Sequence, residues 1–162
     1  MTESPYRIAD ILQQKADQYE LTLFHPDAIA WLEGQLFEKR GNPYLKCLAS
    51  GRERRAHPEE IVRQLYIKKL MEDYGYPKER IQVEKPVVFG SDTGKKRADI
   101  VVSHADDPEA AYIIVEVKKP RRQDGMEQLR SYCNAEGSPI GVWTNGGEVV
   151  VMHRVDPNLY RA

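Results

Sequence analysis

The stretch RADIVVSHADDPEAAYIIVEVKKP, residues 97–120, sets three ionisable side chains among β-branched residues. Asp99 interrupts one apolar run, and Glu116 and Lys118 interrupt the next. Side chains alternate along a strand, so Glu116 and Lys118 share a face. The segment ADDPEA (105–110) reads as the turn between the two runs. A hairpin centred between Asp107 and Pro108, within that turn, sets Asp99 directly opposite Glu116. Opposed residues of an antiparallel pair have Cβ atoms ~4.5–5.5 Å apart on one face. Carboxylates this close repel, and ionisation among apolar neighbours is costly. A shared divalent cation removes both penalties, and carboxylate oxygens suit Mg²⁺, which keeps waters and favours phosphate. A neighbouring lysine can hold or deprotonate a metal-bound water, or stabilise charge on phosphorus. Asp99, Glu116 and Lys118 with Mg²⁺ (or Mn²⁺) therefore read as a phosphodiester hydrolysis site. An arbitrary Asp and E-x-K on strands more often form structural ion pairs, here Glu116 with Lys118 or Lys119 and Asp99 with Arg97. The flanking runs are apolar on both faces, which makes exposed edge charges less natural here.

The elements that must position these residues are legible in outline. Ile8, Ile11, Leu12 and Tyr19 fall on one helical face, and a second helix is expected over 26–40, with Pro26 near its start and Gly41 past its end. A short strand is expected over 44–48, and SGRERRAH (50–57) as a basic loop. Pro58, Glu59 and Glu60 open the clearest helix, with Gly75 as its stop. Strands are expected over 81–89, 97–102, 112–118, 140–144 and 148–154, with turns at GSDTGKK (90–96) and Asn145-Gly146. A helix runs from about 126 to 135 and stops near Gly137. Apolar residues on both faces of IIVEV (113–117) call for a central sheet covered on both sides. The fold class is α/β: a mixed sheet of about five strands flanked by helices.

Composition narrows the function classes. The 162 residues carry a net charge of -1, which argues against a basic nucleic-acid coating protein but not against a local basic patch. Two cysteines, Cys47 and Cys133, form neither a CxxC pair nor a disulfide framework, and His25, His57, His104 and His153 lack ligand spacing. No apolar run is long enough to span a membrane, and no signal peptide is recognised, so a cytoplasmic protein is expected.

The pattern D99…E116-x-K118 resembles the PD-(D/E)XK nuclease core, with Ala98-Asp99 in place of Pro-Asp. QLRSY (128–132) is similar to the Q-x-x-x-Y motif that follows E-x-K in some nuclease branches, and Gln128 and Tyr132 share a helix face. VRQLYIKKLMEDYGYPKERIQVEKP (62–86), RADIVV (97–102), VEVKKP (115–120), EQLRSYCNAEG (127–137) and GVWTNG (141–146) resemble the N-terminal nuclease domain of the type I restriction enzyme R subunit. The resemblance covers roughly residues 43–154, leaving 1–42 as an N-terminal helical extension to a nuclease-like domain over 43–162.

The resemblance implies a restriction-endonuclease-like sheet, Asp99 and Glu116 as metal-binding carboxylates, and Lys118 as the catalytic lysine. It implies that Gln128 and Tyr132 complete the site or contact DNA. An acidic residue of the first core helix often joins such sites; Glu60 is the candidate, in line with Ile67 and Met71. Lys95, Lys96, Arg97, Lys118, Lys119, Arg121 and Arg122 bracket the site and can neutralise phosphates, and Arg52, Arg54 and Arg55 add a basic loop before the first core helix that is more often simply solvated. The sequence has no P-loop, since GSDTGKK lacks both the glycine spacing and the following Ser or Thr. The expectation is a stand-alone relative or a domain of a larger assembly, with DNA, other restriction-modification subunits or a separate motor as partners. The alternative is a catalytically inactive DNA-binding or complex-docking module of the same fold.

Overall fold

The computed structural model describes residues 5–13, 21–89, 92–156 and 159–162; for 88, 89 and 92–95 it describes the backbone alone. Tyr19, Gly90 and Ser91 of the GSDTGKK segment and the Lys95 side chain lie outside the described residues, and from Asp92 on that segment, expected as a turn to 96, is strand paired with the one before it.

Two helices lead the chain, α1 (Ile8–Ile11) and α2 (Pro26–Gln35). α2 stops five residues short of the expected end at 40. Phe37–Lys39 instead forms β1, which turns at Arg40 and Gly41 into β2 (Asn42–Lys46). Both turn residues have positive φ, 53° and 79°, the conformation that reverses a tight hairpin. β3 (Glu53–Arg55) then pairs with β2, so the expected basic loop contains the third strand of a small antiparallel sheet. The hairpin turn puts residues on both sides of position 42 into one unit.

α3 (Pro58–Glu72) is the expected long helix. After a short 3-10 turn, Lys78–Arg80, come β4 (Ile81–Phe89), β5 (Asp92–Ser103) and β6 (Ala111–Val117). α4 (Met126–Glu136) follows, then β7 (Ile140–Thr144), β8 (Val149–Asp156) and β9 (Leu159–Arg161). Among the described residues, β4 to β9 form a six-stranded sheet in chain order. All neighbours are antiparallel except β6 and β7, which α4 connects as a parallel pair. The sheet thus has one strand more than expected, β9, and the mixed α/β architecture stands.

Both sheet faces are covered. Ile100, Val102, Ile113, Val115 and Val117 pack with Ile61, Val62 and Leu65 of α3. Val101, Ile114, Trp143 and Met152 pack with Leu129 and Cys133 of α4 on the other face. β6 contributes to both layers, which accounts for its nearly continuous apolar run. The parallel step is tight: a Cβ on Gly141 of β7 would lie 2.8 Å from Cys133 Sγ. Among the described residues no helix is long and apolar enough to cross a membrane.

Candidate active site

The β5–β6 register pairs Ile100 with Val115, Val101 with Ile114 and Val102 with Ile113. One more step along that register sets Asp99 against Glu116. The turn centres near Asp107, where His104 N donates to Ala110 O at 2.9 Å and Glu109 N to Asp107 Oδ1 at 2.9 Å. By alternation Glu116 and Lys118 lie on the α4 face, opposite Val115 and Val117. Asp99 Oδ2 accepts a 2.7 Å hydrogen bond from Val117 N, which fixes the aspartate at the end of β6. Lys118 Nζ lies 3.5 Å from Glu116 Oε1, and Lys118 N donates to Thr144 O at 2.9 Å. Asp99 does not pair with Arg97, whose guanidinium donates to Glu84 O.

Glu116 is buried, and its Oε2 receives no hydrogen bond. Burial first, and then the charge of Asp99, raise its pKa from 4.5 to about 8. Asp99 is raised as well, chiefly by desolvation, against the opposing pull of the Val117 N–H and Arg63. Burial and mutual repulsion thus both disfavour ionising the two carboxyls together. Among the described residues no three His, Cys, Asp or Glu converge on one point. The donor set is two carboxylates, which suits an ion that fills its remaining positions with water and phosphate oxygen.

Gln128 Nε2 donates to Tyr132 Oη one turn along α4. The Tyr132 phenol feels the charges of Glu116, Asp99 and Lys118, and its pKa is raised, mostly by burial. Gln128 and Tyr132 thus bond to each other along α4, and Tyr132 lies within the electrostatic field of the carboxylates. Leu129 and Cys133, one position on, are fully buried in the core, and Tyr132 is buried with them rather than facing away from it.

Glu60 has a different surrounding. Arg63 grips it with two bonds, Nε to Oε2 at 2.9 Å and Nη2 to Oε1 at 2.6 Å. Arg54 Nε and Gln64 Nε2 donate to it at 2.8 Å and 2.9 Å. These partners overcome the desolvation that would raise its pKa and leave it below the ordinary value. Arg54 also pairs with Glu84, and Arg63 reaches Glu84 at 3.3 Å and Asp99 O at 3.4 Å. The network joins β3, α3 and β4, and borders Asp99. Neighbouring Glu59 is the α3 carboxylate whose pKa responds to Asp99 and Lys118; cleft desolvation raises it first, and Asp99's charge adds. Glu53, Arg54, Arg55, His57, Glu59, Glu60, Arg63, Glu84, Asp99 and Val117 line a cleft of about 520 Å³.

Some parts of the site were not visible as motifs. Arg54 and Glu84 lie far apart in the chain and come together, with Arg54 also holding Glu60, only through the fold. Gly125, at the start of α4, has φ +104°, and a Cβ there would lie 2.6 Å from Lys118 Cε. Its position just ahead of a helix marks it as a cap, with no hint that it touches the lysine.

Comparison with known proteins adds one finding. The family model described as Type I restriction enzyme R protein N terminus matches residues 58–161. No curated protein and no solved structure matches the chain. The match runs from the first residue of α3 through β9, and so includes Asp99, Glu116, Lys118, Gln128 and Tyr132. With about two thirds of its length matched, the chain belongs to the family of type I restriction enzyme R protein N-termini.

Proposed function

We propose that this restriction-related domain hydrolyses DNA phosphodiester bonds with Mg²⁺ or Mn²⁺ held by Asp99 and Glu116. The carrying observation is the buried Glu116 Oε2, which has no hydrogen-bond donor and lies in a carboxylate pair with raised pKa values. A bound cation would supply positive charge to the scissile phosphate and make a nearby water more acidic. Asp99 and Glu116 hold that position from a rigid register, so little reorganisation is needed. Lys118 offers an ammonium beside Glu116, placed to hold an attacking water or offset charge on phosphorus. Gln128 carries an exposed amide, bonded to Tyr132, that can both donate and accept. Sequence choice and translocation belong in this reading to other restriction-modification subunits or a separate motor.

Supercoiled plasmid incubated with pure protein and Mg²⁺ or Mn²⁺ tests the reading. Metal-dependent nicking is expected, with a loss on the order of 10²–10³-fold in Lys118→Ala, the scale of losing one charge-stabilising donor. Intact plasmid with the wild-type protein in both metals would refute hydrolysis. A gel shift in those reactions would then assign the catalytically inactive DNA-binding module.

A further inference from the structure

The segment GVWTNG (141–146) has a role that the hydrolytic site does not yet use. Three consecutive residues at the end of β7 reach the chain that carries Lys118. Thr144 O accepts from Lys118 N at 2.9 Å. The indole of Trp143 donates from Nε1 to Asp124 O at 2.8 Å. The Asn145 amide donates from Nδ2 to Arg122 O at 2.9 Å. Its Oδ1 accepts from Gly147 N at 3.1 Å and Glu148 N at 2.8 Å, so the same side chain also closes the β7–β8 turn. Trp143 and Asn145 are each 3% exposed, so these donors are shielded from competing water.

The loop held this way, residues 119–125, ends at Gly125. There the backbone comes so close to the Lys118 stem that a methyl group would overlap Cε. Trp143 also stands opposite Glu116 in the parallel β6–β7 register. We propose that Trp143 and Asn145 are positioning residues for Lys118, bracing loop 119–125 so that Gly125 packs against the lysine stem and holds its ammonium beside Glu116. This rests on the hydrolytic reading for its effect on rate, and on geometry alone for its effect on the loop.

Two substitutions separate the brace from the fold. Trp143→Phe keeps an aromatic ring in the core and deletes the indole donor, together with part of the ring volume. Asn145→Asp keeps the Oδ1 acceptor of the turn and replaces the donor to Arg122 O with an oxygen. Hydrogen exchange of residues 119–125 and single-turnover plasmid cleavage at saturating DNA are measured for both variants, in wild-type and Lys118→Ala backgrounds. Faster exchange confined to the loop is expected, with cleavage lower by on the order of 10- to 100-fold, the scale of an ångström of misplacement. In the Lys118→Ala background the same substitutions should cause no further loss of residual cleavage, which a merely structural defect would not spare. Unchanged exchange in the loop would overturn the brace. Accelerated exchange with equal losses of cleavage in both backgrounds would overturn its action through Lys118. If wild-type protein does not cleave, the hydrolytic reading fails alone. Amine acylation of Lys118 then reads the brace, with faster labelling expected in both variants and an unchanged rate refuting it.

Discussion

Glu116→Gln should make the metal-free protein more stable in alkali while removing its activity. In chelator, the Glu116 carboxyl has a folded pKa of about 8 against an ordinary value of 4.5. A carboxyl raised in the folded state keeps its proton longer there than in the unfolded chain. Its protonated form therefore favours folding fully below about 4.5, and that contribution is lost as pH rises through about 8. At about 1.4 kcal/mol per unit, the difference sets an upper scale of roughly 5 kcal/mol for this one group. A domain's whole stability is only about 5–15 kcal/mol, so the effect is measurable. Raised Asp99 adds in the same direction. Urea unfolding in chelator from pH 5 to 9 should show the wild-type midpoint falling toward pH 9. The Glu116→Gln midpoint should fall much less, crossing above wild type in alkali. The substituted amide cannot ionise, so that variant should also lose metal-dependent stabilisation and cleavage. Parallel pH profiles for the two proteins would refute the claim that a buried, electrostatically opposed carboxyl sits at this position.

Other predictions follow from neighbouring geometry. Mg²⁺ or Mn²⁺ at a hundredfold excess over its dissociation constant should stabilise the fold by about 2.7 kcal/mol, read as a thermal shift. Asp99→Asn should abolish that gain while keeping the Val117 N–H satisfied through its amide oxygen; an equal shift in the variant would place the metal elsewhere. Arg63→Ala leaves buried Glu60 with two of its grips gone and should cost about 3–5 kcal/mol by urea unfolding, as for a broken buried pair. Glu60 is depressed, so its contribution is present above the unfolded pKa and fades as pH falls through the folded value; acid unfolding of Glu60→Gln should be less steep than wild type. Leu129→Ala should cost about 2–5 kcal/mol, because the side chain is wholly buried between α4 and the sheet. Gln128→Ala should instead lower cleavage with little loss of stability, and wild-type cleavage by that variant would reduce Q-x-x-x-Y to a surface coincidence.

The sequence alone determined the parts governed by local periodicity. Alternation placed Glu116 with Lys118. The apolar runs set the β5–β6 register through Ile100 and Val115, because a one-residue slip would turn apolar Ile100 and Val102 out of the core, while an irregularity between Val102 and Ser103 absorbs the mismatch with the turn near Asp107. The 3.6-residue period of α4 directed Leu129 and Cys133 into the core and left Gln128 exposed; Tyr132, expected beside Gln128 at the site, is buried in that core as well. Tertiary structure decided the rest. β1 and β3 have three residues each, and ERR (53–55) has no apolar alternation, so only pairing with β2 makes these segments strands. Glu59 and Glu60 are chemically alike in sequence. Arg54 of β3 and Arg63 of α3 claim Glu60, and Glu59 is left to sense Asp99 and Lys118. Gly125 meets Lys118 within the loop that leads into α4, and Asn145 meets Arg122 across the parallel crossover that α4 closes. Such contacts join residues distant in the chain, or turn on the close approach of a backbone to a side chain. Their energy depends on distances that hydrophobic pattern does not encode.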